Sequence, residues 1–210
     1  HQRINVPDVQ DADIFGIAQV GRQVCVQVYF YRYGSNYGTE SFFLEHTSDS
    51  LSDNLEAFLK LFYVDRSPAP VVLLSHEVDD LKAITDALKA EYAIKTTWQV
   101  PKLGAKADLT RHACDNAKAA IQRKLAQKAN FKKLFESIAQ AFFLNDLPER
   151  IEIYDNSHLQ GRQAYGVMVV ANQEGMDKKS YRKFIIQTPA NHALGGDDYA
   201  MMREVMARRF

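Results

Sequence analysis

The residues best placed to do chemistry lie in Arg150-Ile151-Glu152-Ile153-Tyr154-Asp155-Asn156-Ser157-His158-Leu159-Gln160-Gly161. Ile151 and Ile153 alternate with Glu152 and Tyr154 as on a half-buried strand, and Asp155 stands where that strand gives way to polar residues. An acid at the end of a buried strand that opens a hairpin is a position from which phosphoryl-transfer folds hang a metal ligand. The plainer reading is an Asp that begins a polar loop. His158 is either a ligand or general base, or a group that hydrogen-bonds locally beyond the strand. Asp197-Asp198 pairs two acids after Gly195-Gly196 and ahead of a helical pattern, where N-cap and helix-dipole chemistry is the simpler role. One carboxylate cannot make a metal site, so Asp155 needs partners.

Cations supply the second constellation. Lys178, Lys179, Arg182 and Lys183 cluster in an expected hairpin, and Tyr181-Arg182-Lys183-Phe184 interleaves aromatics with charge. On a strand Arg182 and Lys183 face opposite ways, so one can meet phosphate while the other is solvated. Lys118, Arg123, Lys124, Lys128, Lys132 and Lys133 follow one another along a helical pattern without an acid, and Arg203, Arg208 and Arg209 come near the end. The chain as a whole is neutral, with 26 basic and 26 acidic residues, so only local patches can steer a polyanion. Each patch taken alone is equally well a solvated face. Lys179, Arg182, Lys183 and Arg203 are the candidate DNA contacts. No Walker loop, GxGxxG, HExxH or CxxC occurs, which removes the readings that rest on those motifs. Cys25 and Cys114 are far apart and in different elements, which suits a reducing compartment. With no apolar run of membrane-spanning length and no signal pattern, the expectation is a cytoplasmic protein with no membrane contact. His1 in place of Met and the abrupt Arg208-Arg209-Phe210 ending suggest a piece of a longer protein.

These residues need elements to hold them. Ile14–Val20, Val24–Tyr31 and Ser41–Leu44 read as a three-stranded meander. A helix through Leu51, Leu55, Phe58, Leu59 and Phe62 follows, then a short buried strand at Val71–Leu74. A helix over 77–91 and a strand over 95–100 complete a βββαβαβ order. A helical stretch from Ala105 to Leu144 follows, with an interruption expected at Asn130. The strand at Ile151 then opens a second meander, with further strands at 164–171 and 180–187, and a helix from Tyr199. The fold class is α/β: two βββα units joined by a long helical segment, the second incomplete. Residues 1–12 form a linker, 13–103 the first domain, 104–148 connecting helices, and 149–210 the first half of the second domain. Laying Gly21-Arg22-Gln23 on Gly161-Arg162-Gln163 aligns the following strands and suggests a duplication. The same shift puts Phe15 opposite Asp155, so the first copy lacks the acid, with Asp13 as a possible displaced partner.

A meander with an acid on its first strand, followed by a helix and parallel strands, is the RNase H-like plan. Ile153-Tyr154-Asp155-Asn156-Ser157-His158, Tyr181-Arg182-Lys183-Phe184-Ile185-Ile186, Gly196-Asp197-Asp198-Tyr199-Ala200-Met201-Met202-Arg203-Glu204-Val205 and Arg208-Arg209-Phe210 resemble the UvrC family of bacterial excinuclease subunits. Ile14-Phe15-Gly16-Ile17-Ala18 and Val24-Cys25-Val26-Gln27-Val28 resemble the stretch that precedes the nuclease of that family. The resemblance implies nucleotide excision repair: recruitment by UvrB to damaged DNA, a 3′ cut by a GIY-YIG nuclease, and a 5′ cut by the RNase H-like nuclease using Mg2+ or Mn2+. It places Asp155 where the family carries its first catalytic, metal-binding aspartate. The family's second aspartate, in an apolar strand ending Asp-Gly-Gly, and its histidine are expected beyond Phe210. Its GIY-YIG, helix-hairpin-helix, cysteine-cluster and UvrB-binding segments are not among these residues. The expectation is therefore a part of a DNA-incising UvrABC subunit, without small-molecule substrate, that does not cut unaided. The alternative is a non-catalytic scaffold that binds DNA or a repair partner.

Overall fold

In the computed structural model, residues 9–45, 47–159, 162–187 and 198–210 are described; for residues 158, 159, 162 and 163 only the backbone is. The chain divides into two compact units, His1–Lys124 and Leu125–Phe210.

The first strand, β1 (Ala12–Val20), is an almost unbroken apolar run, and it is buried from Ala12 through Ile17. Such a strand needs cover on both faces and neighbours on both edges. It has both. β1 pairs antiparallel with β2 (Gln23–Arg32), which pairs with β3 (Ser35–Leu44). On its other edge β1 runs parallel to β4 (Val71–Leu74), and β4 runs parallel to β5 (Thr97–Gln99), giving the order β3-β2-β1-β4-β5. One face of this sheet packs on α1 (Leu51–Phe62) and α2 (Leu81–Tyr92). Phe15 meets Phe58, Phe62 and Tyr63 edge to face, a geometry that aromatic quadrupoles favour. Ser50 caps α1 by accepting the Asp53 N–H at 3.2 Å.

The other face packs on α3 (Gly104–Ala141), through Ile14, Tyr29, Tyr31, Leu73, Leu109 and Ala113. The interruption expected at Asn130 does not occur. Asn has middling helix propensity rather than a breaker's, and α3 runs unbroken across it. The helix sits so close to β1 that a Cβ on Gly16 would lie 2.4 Å from the Cys114 backbone nitrogen.

The second unit begins its meander with β6 (Arg150–Leu159), β7 (Arg162–Asn172) and the two-residue β8 (Gly175–Met176). After a 3-10 turn at Lys178–Ser180, β9 (Arg182–Ile185) pairs with β7. This is shorter than the strand expected over 180–187. Helix α4 (Asp198–Arg209) then covers one sheet face through Met201 and Val205 against Tyr154, Ala164, Phe184 and Ile186. Gly166 is required there, because a Cβ would meet Val205 at 2.4 Å.

The strand registers refine the duplication. In the first hairpin Gln19 pairs with Val24, but in the second His158 pairs with Ala164, and a bulge follows at the His158/Leu159 step. That bulge slides β6 by one residue against β7. With β7 laid on β2, Gly166 takes the place of Val26, and their partners Asn156 and Ile17 coincide. Tyr154 therefore matches Phe15, both under the following helix, and Asp155 matches Gly16 rather than Phe15. A one-residue slip exchanges the two faces of a strand, so the difference is large. The position of the acid is held in the first unit by a glycine with α3 pressed onto it.

Asp13 is no displaced partner. It is 2% exposed and bound on several sides. Arg32 donates to it at 2.9 Å, the Tyr63 hydroxyl at 3.0 Å and the Ala69 N–H at 3.1 Å. A buried carboxylate needs such partners. In the shifted register it matches Glu152, to which Arg209 donates at 2.7 Å. Each unit thus ties an acid on its first strand to the far end of the helix that follows its meander.

Candidate functional site

Asp155 does not end the strand or begin a loop as expected: β6 runs on to Leu159, and Asp155 lies in its middle, opposite Val167, which in turn lies opposite Lys183 of β9. Residues opposite one another share a sheet face, so Asp155, Val167 and Lys183 form one row. Two strand spacings of 4.7–4.9 Å put the Asp155 and Lys183 backbones about 10 Å apart. Asp155 and Lys183 are both exposed. The row faces away from α4, because Tyr154, Gly166 and Phe184, which alternate with it, are the residues α4 covers.

This second face is open among the described residues. Ile153 is 55% exposed, Val167 38% and Ile185 57%. The matching face of the first unit is the one that α3 closes over Gly16. β6 is also an edge strand among the described residues, whereas its counterpart β1 carries the parallel strand β4. Asp155 therefore faces solvent on one side and a free sheet edge on the other.

Lys183 places its ammonium 3.7 Å from the centroid of the Tyr165 ring, in the next row of the same face. A cation held over an aromatic face keeps its charge available while its stem is ordered. Arg182 points to the opposite face, as strand alternation requires, and donates to the backbone oxygens of Lys179 and Tyr181 at 3.2 and 2.8 Å. Lys179 lies in the 3-10 turn and Arg203 is exposed on α4. Of the four expected DNA contacts, the fold thus sets Lys183 in line with Asp155; Arg182 is turned to the other face. Asp198 opens α4, in keeping with a helix-start role, and its backbone oxygen accepts from the Asn156 amide at 3.4 Å. Asp197 and the His158 side chain lie outside the described residues.

Two residues near Asp155 carry roles that the sequence did not disclose. Glu152 accepts from Arg209, Tyr154 and Arg150, and these hydrogen bonds, Arg209's first, bring its carboxyl down to about 2. Tyr165 is the platform for Lys183. Period-two alternation along β6, β7 and β9 contained the signal for Tyr165; the pairing of Glu152 with Arg209 required the fold.

Metal chemistry needs two or more hard ligands around one point. No group of three or more His, Cys, Asp or Glu capable of holding a metal occurs among the described residues. Asp155 is a single exposed carboxylate, and these residues do not by themselves fit a metal ion. No helix among the described residues is long and apolar enough to cross a membrane.

Comparison with known proteins bears on both units. The family described as "UvrC Ribonuclease H-like domain" matches residues 11–124, and "UvrC RNAse H endonuclease domain" matches 139–210. Over the full chain, "UvrABC system protein C" of Paramagnetospirillum magneticum is 43% identical, that of Rhodopseudomonas palustris 44% and that of Brucella abortus 42%. The chain spans about a third of the length of these curated relatives: 34%, 30% and 34% respectively. With both units matched, and with an α/β, RNase H-like architecture in each, this chain belongs to the UvrC family.

Proposed function

We propose that this chain is the part of a UvrABC excinuclease subunit that carries a closed RNase H-like unit and the first carboxylate of the DNA-incising one. The observation that carries the reading is Asp155 on an open sheet face, beside a free strand edge, in the second unit alone. In the first unit Gly16 stands at the corresponding position and α3 fills the corresponding face, so that unit offers no carboxylate there. A strand seated beside β6, as β4 sits beside β1, brings further carboxylates next to Asp155. A site so completed would hold a divalent cation, Mg2+ or Mn2+, which would supply activation of water and stabilisation of the leaving oxygen in phosphodiester cleavage. Asp155 contributes one hard oxygen ligand, and Lys183, in line with it on the face, meets a phosphate of the damaged strand. The partners are DNA and the other components of the UvrABC system, UvrB among them, and the compartment is the cytoplasm.

The lone carboxylate favours a second reading, in which the chain is a scaffold that binds DNA or a repair partner without cutting. A chimera separates the two. Residues 1–210 replace the matching third of the Paramagnetospirillum magneticum relative, and both incisions of a lesion-bearing duplex are followed. Incision on the 5′ side that falls at least 100-fold with Asp155→Asn, while the 3′ incision persists, supports the enzymatic role. Equal 5′ incision with and without Asp155 refutes it. The isolated chain is expected to show no Mn2+-dependent cutting.

A further inference from the structure

Helix α3 carries a feature that neither unit's core explains. From Gln122 to Leu134 every residue is exposed except the half-buried Phe131, although Ile121 before it and Phe135 after it are wholly buried. Even Leu125 and Leu134 remain 40% and 51% exposed. Packing of an apolar stripe is what normally holds a protein helix, and this span has none. Its polar face is of one sign. Between Asp115 and Glu136 there are six cations and no acid, in a chain whose total charge is zero. Lys124, Lys128 and Lys132 recur at four-residue steps, where like charges cost an isolated helix about 0.2–0.5 kcal/mol per pair. Only Lys128 meets an acid among the described residues: Glu174, at 2.5 Å, in the β7–β8 turn. That turn lines a hollow with Asp177, Lys178 and Lys179, where acids and lysines balance, so the excess of positive charge belongs to the helix.

We propose that this exposed middle of α3 is a docking surface for the phosphate backbone of duplex DNA. From Lys118 to Lys133 the helix advances about 22 Å at 1.5 Å per residue. Lys124, Lys128 and Lys132 stay within about 80° of one another over about 12 Å of that length, so this row can meet phosphates of one strand together, while Arg123 points away from it. A like-charge ridge that weakens its own helix is relieved when a polyanion replaces the missing acids. The interaction is with the backbone and carries no sequence preference, which suits a protein that must act wherever a lesion falls. The choice of DNA over another polyanion rests on the incision reading above; the ridge itself does not.

The test uses the full chain and a fluorescein-labelled, undamaged duplex of about two turns in EDTA, with anisotropy read from about 50 to 200 mM salt. Lys124, Lys132 and Lys133 are changed together to Gln, a good helix former; this removes three charges and, at Lys124, an ammonium seated 4.3 Å from the Phe43 ring centroid. Lys82, Lys89 and Lys95, exposed cations off this helix, are changed together in a control of equal net charge. Neutralising the three α3 cations is expected to weaken binding at least tenfold and to flatten log Kd against log salt by about 0.9 for each phosphate that no longer meets a lysine. Lys132→Gln alone is expected to flatten it by about 0.9, which tests the ridge even if the triple variant misfolds. The proposal is overturned if the wild-type chain does not bind duplex, if the α3 variants keep its affinity and slope, or if the control loses as much. Because neither metal nor lesion is present, none of these results alters the Asp155 reading, and failure of that reading leaves the binding result unchanged.

Discussion

Replacing Glu152 by Gln should loosen the second unit while leaving the first untouched. Hydrogen bonds from Arg209, Tyr154 and Arg150 hold the Glu152 carboxyl at about 2, against an ordinary value of 4.5. A difference of about 2.5 pH units at 1.36 kcal/mol each sets an upper bound near 3.4 kcal/mol. The carboxylate side chain is only 12% exposed, but Arg209 and Arg150 are 34% and 42% exposed, so solvent screens the pair. About 1 kcal/mol remains after that discount. Because the folded value is depressed, the unfolded chain binds the proton first, and stability from this group grows with pH. It is fully present above about pH 4.5 and fades as pH falls towards about 2.

The chain supplies its own internal control. Trp98 is its sole tryptophan and lies in the first unit, so urea unfolding followed by Trp fluorescence reports that unit. Far-UV circular dichroism reports both. Glu152→Gln is expected to lower the midpoint of the second-unit transition by roughly 0.5–1 M in urea at pH 7. The Trp98 transition should stay where it is, and the variant should lose the acid-dependent part of the second-unit change. An unchanged dichroism midpoint, or an equal shift in the Trp98 signal, would show that the Glu152–Arg209 tie does not hold α4 to β6.

Gly16→Ala drives a methyl into the α3 backbone and is expected to lower the Trp98-reported stability by about 2–3 kcal/mol, measured in the same urea experiment. Asp13→Asn breaks a buried ion pair and is expected to cost the first unit about 3 kcal/mol, with no change in the second. Asp155→Asn, on an exposed face, should shift neither transition by more than about 0.5 kcal/mol, so that its effect in the chimera is read as chemistry. A stability loss several times larger would mean that Asp155 supports the fold instead.

Much of the fold was legible from local pattern. The short apolar run Val71–Leu74 announced the buried strand β4, but the alternation in β6 misled: Ile153, expected inward, lies on the open face with Asp155, and Glu152 and Tyr154 lie on the face under α4. The spacing of Leu51, Leu55, Phe58, Leu59 and Phe62 announced α1, and the shared Gly-Arg-Gln turns suggested the duplication. The Asn130 interruption was misread because α3 is secured at Leu109, Ala113, Ala117 and Ile121 before that point and at Phe135 after it.

For the site, sequence by itself determined that one acid, Asp155, distinguishes the second unit, and that Arg182 and Lys183 must part company across a strand. Tertiary structure decided which position of the first unit Asp155 corresponds to and what stands there. A single bulged residue moves the match from Phe15 to Gly16, and so from the face under α1 to the face under α3. Sequence alignment cannot see this, because side chains alternate with period two and hydrogen-bond register, not residue identity, sets the parity. The same pairing puts Lys183 in line with Asp155 and leaves both on a face that no described residue covers.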